Sequence, residues 1–269
     1  MKRVPFVKAT ACGNDFILIE ASEFDGDKAE FARRICERRL GVGADGVEWT
    51  SPGDGVEADL EIHLTNADGS TAEISGNGTR CVAAHWVAQR PAGSKIDRVA
   101  IRTDAGLKVC RLMRDGNPEF EFETEMGLAT VSGPLALQLQ AGAVEGIPVS
   151  IGNPHFAIFV ESFAEDWQAQ AAQIGVHPHF PRGVNVELSR ILSSAEIEIR
   201  IFERGAGETQ SSGTGSCASA VAAISTGRAR SPLRVVSPGG PQTVRWESGT
   251  VYLRGPASII CHGEYLWTA

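Results

Sequence analysis

A chain of 269 residues with 42% hydrophobic residues and a mean hydropathy of −0.08 has the make-up of a soluble globular protein, in one large domain or two ordinary ones. The formal charge of −8 argues against nucleic acid or an anionic membrane as a partner, and no stretch approaches the roughly 20 apolar residues of a membrane helix. The cysteines at 12, 36, 81, 110, 217 and 261 form no CxxC pair and share no ligand spacing with the histidines, and residues 1–8 are basic without a following apolar run. The expectation is a cytoplasmic chain with reduced thiols, no export signal and no metal.

In chain order, residues 4–20 read as a strand kinked at Gly13-Asn14-Asp15, and residues 28–39 as a charged amphipathic helix ended by Gly41. Residues 60–64 alternate as a half-buried strand should, and Asn66-Ala67-Asp68-Gly69-Ser70 is a turn. Ser75-Gly76-Asn77-Gly78-Thr79 leads into a helix over 81–89, stopped by Pro91. Strands at 99–111 and 119–125 flank an Asp115-Gly116-Asn117-Pro118 turn. Residues 124–133 carry little pattern, so the crossover to a second half belongs there. That half offers strands over 149–160, a helix over 165–174, clean alternation over 196–202, a helix over 217–226, and strands at 234–236, 243–246 and 251–254. The strand at 258–265 has no partner in its own half and is expected to return to the first. The halves are therefore 1–125 with about 257–269, and 126–256.

The second half echoes the first. Ser212-Gly213-Thr214-Gly215-Ser216 repeats the motif at Ser75 at an offset of 137, and Gly152-Asn153-Pro154-His155 repeats Gly13-Asn14-Asp15-Phe16 at 139. A looser match joins Gly41-Val42-Gly43-Ala44-Asp45 to Gly183-Val184-Asn185-Val186. Three matches in one order point to a duplicated fold. A hydroxyl residue and Gly-x-Gly before a helix present bare N–H groups and a positive dipole end, which suits an anion. Two such cradles suggest one anionic ligand gripped from two sides.

These strings, with Asn66-Ala67-Asp68-Gly69-Ser70, Gly76-Asn77-Gly78-Thr79-Arg80-Cys81 and above all Glu203-Arg204-Gly205-Ala206-Gly207-Glu208-Thr209-Gln210, stand in the order of the diaminopimelate epimerase family, which the chain resembles over nearly its whole length. Proline racemases and phenazine-pathway isomerases share that family's fold but not the last string. The resemblance implies an α/β (α+β) protein of two pseudo-symmetric domains, each a β-barrel around a central helix, with the active site in the cleft between them. It implies an isomerase of lysine biosynthesis that interconverts LL- and meso-diaminopimelate with two cysteine bases and no cofactor. No Schiff-base lysine pattern or dinucleotide fingerprint speaks for a cofactor either. The implied partner is a small amino-acid substrate; a homodimer is left open.

Both catalytic cysteine positions are serine here, Ser75 and Ser212. The family positions assign His155 and Glu203 to polarising the catalytic pair. They assign Asn14, Asn66, Asn153, Asn185 and Arg204 to gripping the substrate, and the helix starts Gly76-Asn77 and Gly213-Thr214 to its carboxylate. A thiol of pKa about 8.5 becomes thiolate beside a helix start, whereas a hydroxyl starts many units higher. Three readings of the serines stand side by side. They are a Cys-to-Ser pair introduced to hold substrate without turnover or to prevent oxidation, a natural isomerase or dehydratase with altered chemistry, and an amino-acid-binding protein on the epimerase scaffold. On the residues alone, Asn66 reads equally as an Asx turn, His155 as a satisfied core histidine, Glu203 and Arg204 as a surface ion pair, and Cys81 and Cys217 as structural thiols.

Overall fold

A computed structural model describes residues 1–91 and 94–268, in two compact units: Met1–Thr124 with Gly255–Ala269, and Glu125–Arg254. Unit 1 holds β1 (Lys2–Ala11), β2 (Asn14–Glu20), α1 (Lys28–Ile35), β3 (Gly46–Pro52), β4 (Leu60–Asn66), β5 (Thr71–Ala72), α2 (Gly76–Ala88), β6 (Arg98–Thr103), β7 (Gly106–Gly116) and most of β8 (Glu119–Leu128). Unit 2 follows with β9 (Thr130–Val131), β10 (Leu135–Leu139), β11 (Gly142–Ser150), β12 (Pro154–Phe159), α3 (Trp167–Gly175), β13 (Asn185–Ser193), β14 (Glu196–Glu203), β15 (Gly207–Thr209), α4 (Gly213–Ser225), β16 (Leu233–Ser237) and β17 (Gly240–Glu247). The final strand, β18 (Thr250–Trp267), contributes to both units.

In unit 1 the strands pair in the ring β18, β1, β2, β3, β4, β6, β7, β8, and the β8–β18 pairing closes it. Helix α2 fills the barrel. Its Cys81, Val82, Ala83, Ala84 and Val87 are buried against Phe16, Leu18, Ile62, Ile101, Phe120 and Phe122. A helix built mostly of small and apolar residues fits inside a barrel, and the polar Asn77 and Arg80 of its first turns are buried with partners. Strand β2 is apolar on both faces for the same reason: Phe16 and Leu18 face α2, and Ile17 and Ile19 pack with Phe31, Ile35 and Trp49 outside. Helix α1 is the outer layer, capped by Asp27, whose carboxylate accepts from the Ala29 and Glu30 N–H groups.

Unit 2 repeats this arrangement with β9, β11, β12, β13, β14, β16, β17 and β18. Strand β9 continues the line of β8, and the Ala129 N–H to Gly249 carbonyl bond (3.0 Å) marks the contact with the hairpin before β18. Helix α4 is the central helix, packed on Val149, Ile199, Ile201, Val235 and Leu253, and α3 covers Phe156, Ile158, Val186 and Leu188 from outside. Among the described residues no helix is long and apolar enough to cross a membrane.

Four details differ from the sequence expectations. Helix α1 stops at Ile35, because the Val42 and Gly43 amides both take the Ile35 carbonyl (2.8 and 2.9 Å) and turn the chain back. Helices α2 and α4 begin at Gly76 and Gly213 rather than at the cysteines, so the Gly-x-Gly segments are first helical turns and not loops. The strands expected at 251–254 and 258–265 are one strand of 18 residues. Residues 124–133 are mostly strand, their pattern blurred by partial exposure on both faces.

Candidate active site

Each central helix starts on a serine. Ser75 caps α2, its Oγ accepting from the Gly78 N–H (3.1 Å), and Ser212 caps α4 by accepting from the Gly215 N–H (3.3 Å). Both serines have extended backbones, as a cap requires, and each sets the positive end of its helix beside it, where an anion is favoured. Neither hydroxyl donates to another described group.

In unit 1, Asn14 and Asn77 are locked together beside this start. The Asn14 amide donates to Asp45 Oδ2 (2.9 Å) and its Oδ1 accepts from Asn77 Nδ2 (2.6 Å). Asn77 Oδ1 in turn accepts from Arg80, a wholly buried cation that also reaches the Gly76 and Pro256 carbonyls (3.3 and 3.4 Å) and Cys12 Sγ (3.6 Å). Asp45 is fixed from the far side by Arg38 (2.7 Å). Asn66 is not drawn into this network. It ends β4 opposite Gly46, and its amide donates to Ser70 Oγ (3.0 Å) within its own turn.

In unit 2 a longer chain forms. Asn153 Nδ2 donates to Thr214 Oγ1 (3.3 Å), Asn153 Oδ1 meets His155 Nε2 (2.9 Å), and His155 Nδ1 meets Glu187 Oε1 (2.7 Å). Asn185 ties the neighbouring loops: its amide donates to the Pro154 carbonyl (3.1 Å), and its Oδ1 accepts from the Arg204 backbone N–H (2.9 Å). The exposed Arg204 guanidinium donates to the Arg182 carbonyl (2.8 Å) and has no carboxylate partner among the described residues, so it is not half of a surface ion pair. Glu203 ends β14 half-buried, close enough for its charge to raise the pKa of Glu187.

Two carboxyls escaped the sequence reading. Glu48 on β3 and Glu187 on β13 are wholly buried and point inward at α2 and α4. A methyl at Gly78 would collide with Glu48 Oε1, and one at Gly215 would lie 2.9 Å from Glu187 Oε1, which is why the third position of each helix is glycine. Burial pushes Glu48 up to about 8. Burial also raises Glu187, against the opposing pull of His155. The signal was present in the sequence as a single acid flanked by apolar residues, Val47-Glu48-Trp49 and Val186-Glu187-Leu188, at the 139-residue offset of the other matches. No thiol stands in for the absent bases around α2, since burial raises Cys12 and Cys81.

The diaminopimelate epimerase family profile matches residues 6–131 and 147–260. Diaminopimelate epimerase of Carboxydothermus hydrogenoformans is 35% identical over 276 residues, covering 97% of this chain and 98% of that one. Diaminopimelate epimerase 1 of a Nostoc species is 36% identical over 279 residues, with 97% and 99% covered. Among solved structures, a PhzF-family phenazine biosynthesis protein of Bacillus anthracis superposes with a TM-score of 0.74 at 15% identity, covering 99% of this chain and 100% of its own. A hydroxyproline epimerase of Agrobacterium vitis gives 0.68 at 15% identity, over 98% and 91%. The structural likenesses carry the barrel-and-helix fold; the sequence matches carry the family. The chain belongs to the diaminopimelate epimerase family of isomerases.

Proposed function

We propose that this chain acts on diaminopimelate, taking the α-proton from one stereocentre and returning one on the opposite face, so that LL and meso forms interconvert. The observation that supports this most is the recurrence, in each unit, of a serine-capped helix start with the family's asparagine beside it: Asn14 with Asn77, and Asn153 with Thr214. The helix starts at Gly76-Asn77 and Gly213-Thr214 favour an α-carboxylate, and favour it more as carbanion charge spreads onto it. Arg204, with no acidic partner, is suited to a second carboxylate, which diaminopimelate has and proline lacks. Two-base chemistry needs one group that accepts a proton and one that donates, and each unit carries one such serine.

Serine limits the rate. A helix start and a few polar neighbours shift a pKa by a few units, enough for a thiol and not for a hydroxyl. Epimerisation by this form is therefore expected to be far slower than by a thiol pair. A second reading, an amino-acid-binding protein, draws on the fact that both hydroxyls already serve as helix caps.

Calorimetry with meso- and LL-diaminopimelate against proline and hydroxyproline tests the substrate. Tighter binding of the diamino acids is expected. Preference for the cyclic amino acids would move the chain to the racemase branch of the fold, and no binding of any of them would remove the amino-acid reading altogether.

A further inference from the structure

Glu48 has no part in the chemistry so far described, and Glu187 enters it only as the partner of His155. Neither oxygen of Glu48 and not Oε2 of Glu187 has a hydrogen-bond partner among the described residues, although both side chains are fully buried. Groups kept only for packing are normally satisfied. Their place is the same in each unit. Glu48 sits in register with Leu18 of β2 and Leu64 of β4, and Glu187 with Ala157 of β12 and Ile201 of β14. Each abuts the third residue of its central helix, the glycine whose amide the serine caps. A methyl at Gly78 would touch Glu48 Oε1 on one side and Ser75 Cβ (3.2 Å) on the other. A methyl at Gly215 would touch Glu187 Oε1 (2.9 Å), Ser212 Cβ (3.1 Å) and Ser212 Oγ (3.3 Å). Carboxyl and serine thus flank the same point, the place of a glycine's missing side chain, with no hydrogen bond joining them in the resting structure.

We propose that Glu48 and Glu187 hold the protons that Ser75 and Ser212 relay, so that each unit's base is a buried carboxyl acting through a hydroxyl. The inference rests on the epimerase reading. In unit 1 the substrate Cα–H bond breaks and its electron pair stays on carbon, spread into the α-carboxylate. The proton bonds to Ser75 Oγ while the hydroxyl's own proton passes to the Glu48 carboxylate. In unit 2 a protonated Glu187 gives its proton to Ser212 Oγ, and the hydroxyl's hydrogen goes to the carbanion. Protons and electrons balance, and no further reactant is required.

The surroundings suit Glu48 to change protonation state once a small side-chain rotation brings its carboxyl to the Ser75 hydroxyl. Facing it are the apolar side chains of Leu18 and Leu64, Gly78, and Cys81, whose thiol burial keeps protonated. Arg80, the nearby cation, is turned to Asn77 and to backbone carbonyls. With its pKa pushed up to about 8, both forms of Glu48 are present near neutral pH. Unit 2 differs in that Glu187 Oε1 lies 2.7 Å from His155 Nδ1.

The test is α-proton exchange of meso-diaminopimelate in deuterated water, followed by NMR, with binding measured in parallel by calorimetry. Glu48→Gln is compared with wild type, and again in a Ser75→Cys/Ser212→Cys background. Expected are retained binding, a fall in exchange of about 100-fold in the serine form, loss of the rise in rate as pH approaches 8, and part recovery in Glu48→Asp. In the cysteine background the loss should be much smaller, because a thiolate is itself the base. Equal losses in both backgrounds would make Glu48 merely structural and overturn the relay. So would a Glu48→Gln protein with unchanged rate and pH profile, or a wild type that binds diaminopimelate and exchanges nothing. The first two leave the epimerase reading standing, binding without exchange leaves only the binding-protein reading, and absence of binding removes the amino-acid ligand and the relay with it.

Discussion

Unit 1 and unit 2 share a barrel, a central helix, a capping serine and a buried glutamate, yet they differ behind the cap. Where unit 2 carries His155 in register with Asn185, unit 1 carries Phe16 in register with Gly46. Glu187 therefore has an imidazole at 2.7 Å and Glu48 has none. One scaffold has produced two electrostatic environments for the same acid: a hydrogen-bonded carboxyl–imidazole pair, and a solitary carboxyl that burial drives towards neutrality. Duplication fixed the geometry and left the titration free to diverge.

The solitary acid should dominate the pH dependence of stability. Its folded pKa, about 8, lies above the value of 4.5 it has when exposed, so the native state keeps a proton that the unfolded chain loses between those values. Stability from this group is fully present below about pH 4.5 and is lost as pH rises through about 8, at about 1.4 kcal/mol per unit and on the order of 5 kcal/mol in all. Urea denaturation from pH 5 to 9 should show Glu48→Gln overtaking wild type with rising pH. Parallel curves for the two proteins would mean that Glu48 is solvated or paired.

Giving unit 2 the pattern of unit 1 is the next largest change. His155→Phe leaves Glu187 without a partner and should cost about 3 kcal/mol, as broken buried pairs do. Denaturation of His155→Phe/Glu187→Leu should recover much of that; no recovery would locate the cost in packing around the ring.

The glycines sharpen the contrast in space. Gly78→Ala meets Glu48 Oε1 well inside contact distance and should destabilise by about 2 kcal/mol, whereas Gly215→Ala, at 2.9 Å from Glu187 Oε1, should cost about 1. Removing Glu48 first, as Glu48→Ala, should turn Gly78→Ala from harmful to neutral or better, since alanine otherwise favours a helix. The smallest effect belongs to the caps: Ser75→Cys exchanges an oxygen acceptor for sulfur and should cost about 1 kcal/mol of thermal stability.

The sequence made the duplication legible because the repeat sits in short polar strings that fold locally. The serine before each Gly-x-Gly announced a helix start, and Ile197, Ile199 and Ile201 alternate inward in β14 as their spacing required. What stayed hidden depends on the far side of the barrel. Glu48 reads as an ordinary strand residue until α2 occupies the face it points to. The end of α1 is set by amides seven and eight residues beyond it, and the long β18 by partners in both halves of the chain. Asn66 shows the converse, a family position whose side chain the structure binds into its own turn. His155 is a buried histidine with both ring nitrogens engaged, and its partners are the other candidate residues, so the structural and functional descriptions of it coincide.

The most direct measurement is the rate of α-proton exchange into meso-diaminopimelate by wild type and by Ser75→Cys/Ser212→Cys, from pH 6 to 9. If the serines preserve the cradles and lack only basicity, the double variant exchanges about 100-fold faster or more, each single variant recovers less, and the gain grows with pH as thiolate forms. A wild type that turns over at an ordinary enzymatic rate of roughly 1 per second, with no gain from the two cysteines, would contradict this.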